Sequence, residues 1–388
     1  YIIKYKMGCQ ICRGNELESQ LDSGRLRENK VSNRIMVDPP NCPQTEYENF
    51  IKSFDQNLHL MGGHYISVSD FDNLIPESAH KIMTEKIFDI SQYPTNLKKN
   101  YETKPVQFSN GCVYHGEWNE NYKMEGYGKF YLKNENVFAE GIWENGELKY
   151  GRLFLPNGDI YEGEIKGSKF HGKGKLISLS EGTIYEGKFE DGQKTYGKTT
   201  FDDNTTYEGR TEKGLFSGEG IMRWKNGVEY NGNFSGGALN GNGLLKNNEG
   251  ESYEGKFENN LFHGRGKYTF CNGNYYDGDF QWGVKKGKGK YQILNNYSYE
   301  GDWDNDEPNG FGCIKNGDLV FKSTWRNGKM VETPTYEGER LKESINLENY
   351  NFKPEEVSLH TRELTHLANN ELISSTYRLG SNPSFLGD

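Results

Sequence analysis

The chain has 388 residues and a net charge of −10, and only 33% of its residues are hydrophobic although 14% are aromatic. An acidic chain lacks the basic face that nucleic-acid binding needs, so we expect no nucleic-acid partner. Too few aliphatic residues are present for a large α/β core, and the many aromatics exclude simple disorder. No apolar run is long enough for a membrane-spanning helix, and six scattered cysteines indicate a reduced, cytoplasmic protein.

Residues 1–35 are polar and charged, and we expect a flexible tail there. If translation begins at Met7, Gly8 is a candidate for myristoylation, and Cys9 and Cys12 are candidates for palmitoylation. Two acyl chains would give stable membrane anchoring. The alternative is an unmodified tail with two ordinary cysteines. Cys9 and Cys12 also have the spacing of half a zinc site, but no second Cys or His pair lies nearby, so we expect no metal.

Residues 36–110 are predicted to form a helical flank. One helix begins at Thr45, which forms a capping box with Glu48 ahead of an apolar stripe. A second is predicted from Pro76 to Ile90, again with apolar residues along one side. Because the end of an open sheet needs a cover, we expect these helices to cap the first hairpin of the repeats that follow.

Residues 111–330 repeat one phrase, a Tyr followed two residues later by Gly and four residues later by Phe or Trp. Ten copies begin at 114, 139, 161, 185, 207, 230, 253, 276, 299 and 321, a period of about 23 residues that marks a repeat array. Some copies are variants: Ala139 replaces the Tyr, Ile165 and Thr211 replace the second aromatic, and the last copy, from Phe321, is decayed. Alternate residues of a strand share a face, so these three positions point the same way. The predicted repeat core is Tyr161, Gly163, Tyr185, Phe189, Tyr207, Tyr230, Phe234, Tyr253, Phe257, Tyr276, Phe280, Tyr299 and Trp303.

In seven of the ten copies a Gly-x-Gly stands about eleven residues after the Tyr, often followed by an Asn-Gly such as Asn226-Gly227. Each copy therefore predicts a β-hairpin, and Asn-Gly accepts the positive φ of a tight hairpin turn. A single hairpin cannot bury its rings, whereas stacked hairpins can. We therefore predict a mainly β fold, an elongated single-layer antiparallel sheet of about ten stacked hairpins with short helical flanks.

Residues 331–388 are predicted to form a linker and a C-terminal helix, Pro354 to Ser374. Valine and leucine residues form an approximate stripe along that helix. The linker is long for a local cap, so docking of this helix on a partner is favoured over capping of the last hairpin.

Two local patterns invite a chemical interpretation. Gly192–Thr199 spells a phosphate-binding loop, but no helix is predicted after its Lys, and the repeat register explains every residue. Lys285, Lys286, Lys288 and Lys290 form the densest basic spot of the repeats, and the acidic residues that follow favour neutralisation within the sheet. No catalytic constellation emerges, so we expect no enzymatic activity and no cofactor.

Residues 111 to about 330 resemble the MORN (membrane occupation and recognition nexus) repeat. The resemblance rests on three motifs that recur in order at a period of 23: Tyr-x-Gly-x-Trp/Phe, then Gly-x-Gly, then Asn-Gly. The copies that begin at Ala139, Tyr185 and Tyr207 depart from this pattern. The resemblance implies a non-enzymatic scaffold that binds other proteins in a cytoskeletal assembly, with a cilium or axoneme as the expected setting, and it leaves homodimerisation open. The alternative is a membrane-associated tether that uses acylation of the tail or the lysine cluster to contact anionic lipids.

Overall fold

The computed structural model describes residues 44–85, 88, 100–293, 297–332, 335–336 and 339–340, and these are mainly β. Strands pair antiparallel with their chain neighbours, so the predicted single-layer sheet of hairpins is confirmed. The chain divides into a first unit, residues 1–180 with 186–193, and a second unit, residues 181–185 with 194–388. The predicted tail with Gly8, Cys9 and Cys12, and the predicted helix at 354–374, lie outside the described residues.

Three helices precede the repeats: α1 (Gln44–Leu60), α2 (Val68–Asp72) and α3 (Glu77–Glu85). Helices α1 and α3 lie where the sequence predicts helices. Helix α3 is shorter than predicted, because it ends at Glu85 and Phe88 lies in neither helix nor strand. The sequence analysis missed α2, whose start is fixed by the Ser67 hydroxyl accepting the Asp70 N–H at 3.0 Å.

In the first unit, β1 pairs with β3, and both β2 and β3 pair with β4. From β4 onward each strand pairs with the next one along the chain. The strands are β1 (Gly63–Tyr65), β2 (Tyr101–Glu102), β3 (Val106–Phe108), β4 (Val113–Trp118), β5 (Met124–Leu132), β6 (Val137–Glu144), β7 (Glu147–Phe154), β8 (Ile160–Lys166), β9 (Lys169–Ser178) and β10 (Thr183–Glu190), of which residues 186–190 belong to this unit.

The second unit continues the same pattern of consecutive antiparallel pairs. Its strands are β11 (Gln193–Phe201), β12 (Thr206–Glu212), β13 (Leu215–Arg223), β14 (Glu229–Ser235), β15 (Ala238–Lys246), β16 (Ser252–Glu258), β17 (Leu261–Thr269), β18 (Tyr275–Gln281), β19 (Val284–Ile293), β20 (Tyr297–Asp304), β21 (Glu307–Asn316), β22 (Leu319–Arg326), β23 (Lys329–Met330), β24 (Thr335–Tyr336) and β25 (Glu339–Arg340). The short β24 pairs with both β22 and β25.

The tight turns lie inside the hairpins, between the Tyr strand and the Gly-x-Gly strand. Between β16 and β17, for example, Asn259 and Asn260 both have positive φ, 47° and 68°. Two such residues in succession match the twist of the flanking strands. The predicted Asn-Gly turns join one hairpin to the next, and there only the Gly has positive φ, as at Gly227 (84°) and Gly273 (82°). Both ends of a hairpin therefore carry a turn with positive φ, and the sequence analysis identified only the Asn-Gly turn.

The second residue of a tight turn also bonds to the preceding hairpin. The N–H of Asn260 donates to the carbonyl of Leu239 (3.0 Å), and the N–H of Gly283 donates to the carbonyl of Phe262 (2.9 Å). We call this contact the turn hook. It ties most of the hairpins to their predecessors at the turn end.

The buried side of the sheet is made of nested rings. In the second unit, Tyr253 stacks on Phe262 with centroids 3.8 Å apart and meets Phe257 and Phe280 edge-on at 5.1 Å. Both geometries are favourable for aromatic pairs. The structure buries all twelve aromatic residues of the predicted repeat core: Tyr161, Tyr185, Phe189, Tyr207, Tyr230, Phe234, Tyr253, Phe257, Tyr276, Phe280, Tyr299 and Trp303.

Glycine leaves room for these rings. The Tyr253 hydroxyl donates to the carbonyl of Lys256 at 2.9 Å, which holds the ring across the glycine pair of two adjacent strands. A Cβ atom on Gly255 would lie 2.6 Å from both the Gly266 Cα and the Tyr253 hydroxyl. At Gly163, another predicted core position, a Cβ would lie 2.5 Å from the Gly174 Cα. Space therefore selects glycine at these positions, where φ is not positive.

In the first unit, the N-terminal helices contact both sides of the sheet. Phe54 of α1 packs on Trp118, on the side that carries the rings, with centroids 4.8 Å apart. Phe71 of α2 packs against Phe138, and both belong to a buried cluster with Val113. Val113 and Phe138 directly precede ring-side positions in their strands, so they face the opposite side.

Candidate interaction surface

The side of the sheet opposite the rings carries the residues that alternate with the repeat core, and we call it the open face. In the second unit these residues are mostly polar, as Glu254 next to Tyr253 and Lys267 next to Tyr268 illustrate. The nested rings are sealed from solvent, so they have a structural role. The open face is therefore the surface of the second unit that offers polar groups to a ligand.

A groove crosses the strands on this open face. Its floor is the backbone of Gly232, Gly243, Gly255 and Gly266, which stand opposite one another on adjacent strands. We call it the glycine trench; it is open to solvent and has a volume of about 760 Å³. Its walls are formed by Glu219, Asn231, Asn233, Asn242, Leu244, Glu254, Arg265, Lys267 and Asp277.

Some charged side chains of the trench form ion pairs and others do not. Arg265 pairs with Asp277 (2.9 Å) and lies 3.9 Å from Asp279, and the Lys267 ammonium lies 4.2 Å from the centre of the Tyr275 ring. Neither Glu219 nor Glu254 forms an ion pair with any residue the structure describes. The trench therefore presents two carboxylates that form no ion pair within the described chain.

In the first unit, the corresponding part of the open face is buried. The Arg152 guanidinium is only 1% exposed and lies 3.2 Å from carboxylate oxygens of both Glu140 and Glu162. Burial raises the pKa of Glu140, and Arg152 opposes that shift. Phe88, from the segment that follows α3, lies 5.5 Å from the guanidinium carbon and stacks on Tyr150. The sequence analysis identified none of these residues, although Arg152 stands at an open-face position of the repeat.

The lysine cluster is not a uniform basic surface. Lys286 pairs with Asp304 (3.5 Å) and Lys288 with Asp302 (2.5 Å), as the predicted neutralisation requires. Lys285, which the tether alternative assigned to lipid contact, is fully buried, so that part of the alternative is wrong. It occupies the position of Leu239 and Phe262 in earlier repeats, on the ring side of its strand.

The buried Lys285 is compensated by Asp306, which is also fully buried. Asp306 accepts the backbone N–H of Lys285 (2.9 Å), and its own N–H makes the turn hook to the Lys285 carbonyl (3.1 Å). The Lys285 ammonium lies 5.6 Å from the ring centres of Tyr276 and Trp303. Burial lowers the pKa of Lys285 to about 7, and Asp306 opposes the shift.

The phosphate-loop string of the sequence is part of a strand. The string at Gly192–Thr199 enters β11, where Thr199 stands opposite Tyr207, so a strand follows its Lys instead of a helix. The described residues contain no group of His, Cys, Asp and Glu side chains that suits a metal ion. Within the same residues, every helix is too short or too polar to cross a bilayer.

Comparisons with solved structures give low similarity. The chain resembles the TCP10 domain of Danio rerio CPAP (12% identity, TM-score 0.30, covering 46% of this chain and 84% of that one) and the same domain with a STIL peptide (10%, 0.35, 61% and 98%). It also resembles the Drosophila melanogaster SAS-4 TCP domain with a proline-rich motif of Ana2 (10%, 0.17, 60% and 94%). A comparison with curated proteins finds no significant match.

The family comparison agrees with the repeat register. The MORN repeat family matches residues 114–137, 161–178, 207–229, 230–250, 253–275, 276–293 and 299–318. The copies at Ala139, Tyr185 and the last one at Phe321 are not matched, although the copy at Ala139 forms the same hairpin, from β6 and β7. The chain belongs to the MORN-repeat family.

Proposed function

We propose that this protein is a non-enzymatic scaffold that binds other proteins through the open face of its repeats. The observation that carries the proposal is the contrast between the two sides of the second unit. The ring side is sealed by nested aromatics, whereas the open side has a trench of about 760 Å³ lined by carboxylates and amides. A groove with polar walls and a flat floor suits a protein segment better than it suits a small substrate.

We further propose a cytoplasmic location and a cytoskeletal setting, with a cilium or axoneme as the first place to look. The support is membership of the MORN-repeat family. Imaging of the tagged full chain in ciliated cells tests this, and exclusion from the axoneme and from other cytoskeletal structures would contradict it. Homodimerisation is measured on the same purified chain by light scattering.

Cross-linking mass spectrometry tests the scaffold proposal itself. The tagged full chain is captured from cells after treatment with a lysine-reactive cross-linker. We expect partner proteins to be joined to the open-face lysines Lys267 and Lys290. Lys225, in an exposed turn between hairpins, is the internal control and should give few partner links. The proposal fails if no partner is captured or if partners attach at Lys225 as often as at the open face.

The membrane tether has less support than the scaffold. One lysine of the proposed lipid-binding cluster is buried and two are paired with aspartates. Acylation of Gly8, Cys9 and Cys12 stays a prediction. Flotation of the full chain with vesicles, comparing wild type with Cys9→Ser, tests it: flotation that depends on Cys9 would support a tether, and its absence from both chains would exclude one.

A further inference from the structure

The glycine trench has a counterpart in the first unit that the chain itself fills. Gly151 precedes Gly243 by four repeats of 23 residues, and each stands opposite a glycine of the preceding strand, Gly141 and Gly232 respectively. The neighbouring positions follow the same register. Across it, Tyr150 corresponds to Asn242, Arg152 to Leu244, Glu140 to Asn231, and Glu162 to Glu254.

The filled site shows what such a groove accepts. Tyr150 and Arg152 flank Gly151, and the Phe88 ring lies 5.5 Å from both the Tyr150 ring centre and the Arg152 guanidinium carbon. The guanidinium is held between Glu140 and Glu162 at 3.2 Å. One aromatic ring and one cation thus complete the groove, and Arg152 and Phe88 are almost fully buried as a result.

The trench of the second unit keeps the groove but lacks both of these groups. Leu244 replaces the arginine, so Glu254 has lost the cation that Glu162 pairs with. Leu244 is also an apolar, half-buried side chain on an otherwise polar face, a site where a ring would remove apolar surface from water. Asn231 and Asn242 stand on the two walls, and neither side chain makes a hydrogen bond within the described part of the chain.

We propose that the trench binds an extended segment of a partner protein in which an aromatic residue adjoins an arginine or lysine. The inference rests on the proposed scaffold function and names the chemistry of its ligand. The ring lies over Leu244 and the glycine floor, as Phe88 lies beside Gly151, and the cation pairs with Glu254. The amides of Asn231 and Asn242 bond to the main chain of the segment. Charge favours this ligand, because the protein carries a net −10 and neither Glu219 nor Glu254 forms an ion pair within the described chain.

A peptide array tests the ligand chemistry. Peptides in a Gly-Ser background, with a central pair of residues varied through all combinations, are probed with the fluorescently labelled full chain. We expect pairs of Phe, Tyr or Trp with Arg or Lys to be selected. Fluorescence anisotropy then measures affinity for a selected peptide and for its matched Glu-containing counterpart, which we expect to bind at least about tenfold more weakly.

Two variants locate the site, and one serves as control. Leu244→Arg rebuilds the Arg152–Glu162 arrangement inside the trench. The new arginine should pair with Glu254 and so abolish binding of the peptide. Glu254→Gln, an exposed and mild change, should weaken binding about tenfold. Glu212→Gln, the same substitution at an exposed position outside the trench, should leave affinity unchanged. Circular dichroism checks that each variant is folded, and Glu254→Gln suffices if Leu244→Arg does not fold.

The outcomes separate this inference from the scaffold proposal. The trench inference is overturned if the array selects acidic pairs or pairs without a ring, or if both trench variants bind the selected peptide like wild type. In either case, partner cross-links at Lys267 and Lys290 would still uphold the scaffold. If those cross-links are absent while aromatic–basic peptides bind, the trench stands and the scaffold proposal falls.

Discussion

The buried pair of Lys285 and Asp306 gives a sharp test of the energetics, because the chain contains its own apolar template. Two repeats earlier the same positions hold Leu239 and Asn260, and the Asn260 side-chain oxygen accepts the Leu239 N–H at 2.6 Å. The double change Lys285→Leu with Asp306→Asn therefore installs a pair that this fold already accommodates.

The expected change in the free energy of unfolding follows from the pKa of Lys285. Burial lowers the pKa of Lys285 from 10.5 to about 7, and a difference of one in pKa corresponds to about 1.4 kcal/mol. Charging this lysine thus costs the folded state up to about 5 kcal/mol. Since exchange of buried ion pairs for apolar residues returns about 1–4 kcal/mol, we expect the double variant to be more stable by about 2 kcal/mol near neutral pH. Lys285→Leu alone leaves Asp306 buried without its cation and should cost about 3 kcal/mol.

The pH dependence has a definite sign. Between about pH 7 and 10 the unfolded chain holds a proton on Lys285 that the folded chain lacks, so the stability of wild type should rise with pH by up to about 1.4 kcal/mol per pH unit. Below pH 7 both states are protonated and this contribution is flat. The double variant should lack the rise.

Native-state hydrogen exchange of the β19 and β21 amides, with urea denaturation as a global measure, reports the free energy of opening for wild type, both single variants and the double variant. Local exchange is needed because repeat proteins open in parts. A double variant that is less stable than wild type, or that shows the same pH slope, would refute the reasoning.

Three further predictions use denaturation of single variants. Gly255→Ala should lower the free energy of unfolding by about 3 kcal/mol, because the new Cβ would meet the backbone of the facing strand. Gly250→Ala is the control: Gly250 has positive φ but open space around it, so the loss should be only about 1 kcal/mol. Equal losses would contradict the spatial argument. Arg152→Ala should cost about 3–5 kcal/mol at neutral pH, and the loss should shrink as the pH falls and Glu140, whose pKa burial raises, takes up a proton. A loss independent of pH would count against this reasoning. Tyr253→Phe removes one buried hydroxyl and should cost about 1 kcal/mol, with a negligible change showing that the ring alone matters.

The repeat register could be predicted from sequence because one requirement recurs in every copy. Tyr253 must lie across a strand pair that has no side chains, so Gly255 and Gly266 are fixed at constant offsets and the period is visible. The apolar run that starts near Thr45 predicted α1 for the same reason, a single buried stripe. Such local rules need only one segment of chain.

Features that depend on two distant segments were missed. Phe88 reaches the groove from the segment that follows α3, and no residue near Arg152 in the sequence indicates this contact. The filled site could therefore not be predicted from the sequence. Lys285 was assigned to a surface cluster because its neighbours are lysines, although it stands at the ring-side position nine residues after Tyr276 where other copies carry Phe or Leu. Counting that offset, and noting Asp306 at the turn, would have located the pair. The open-face trench depends on facing rows from several repeats and is likewise not local.

The turn hook has a consequence for how such chains change length. The hooks join residues 20 to 22 apart, as from Leu239 to Asn260 and from Phe262 to Gly283, and so require only that a complete copy precedes them. Duplication or loss of a whole 23-residue copy restores every hook beyond the junction. Loss of a single residue within a strand instead turns the following tyrosine of that strand towards water. We therefore expect such chains to gain or lose whole hairpins, and not single residues within a strand.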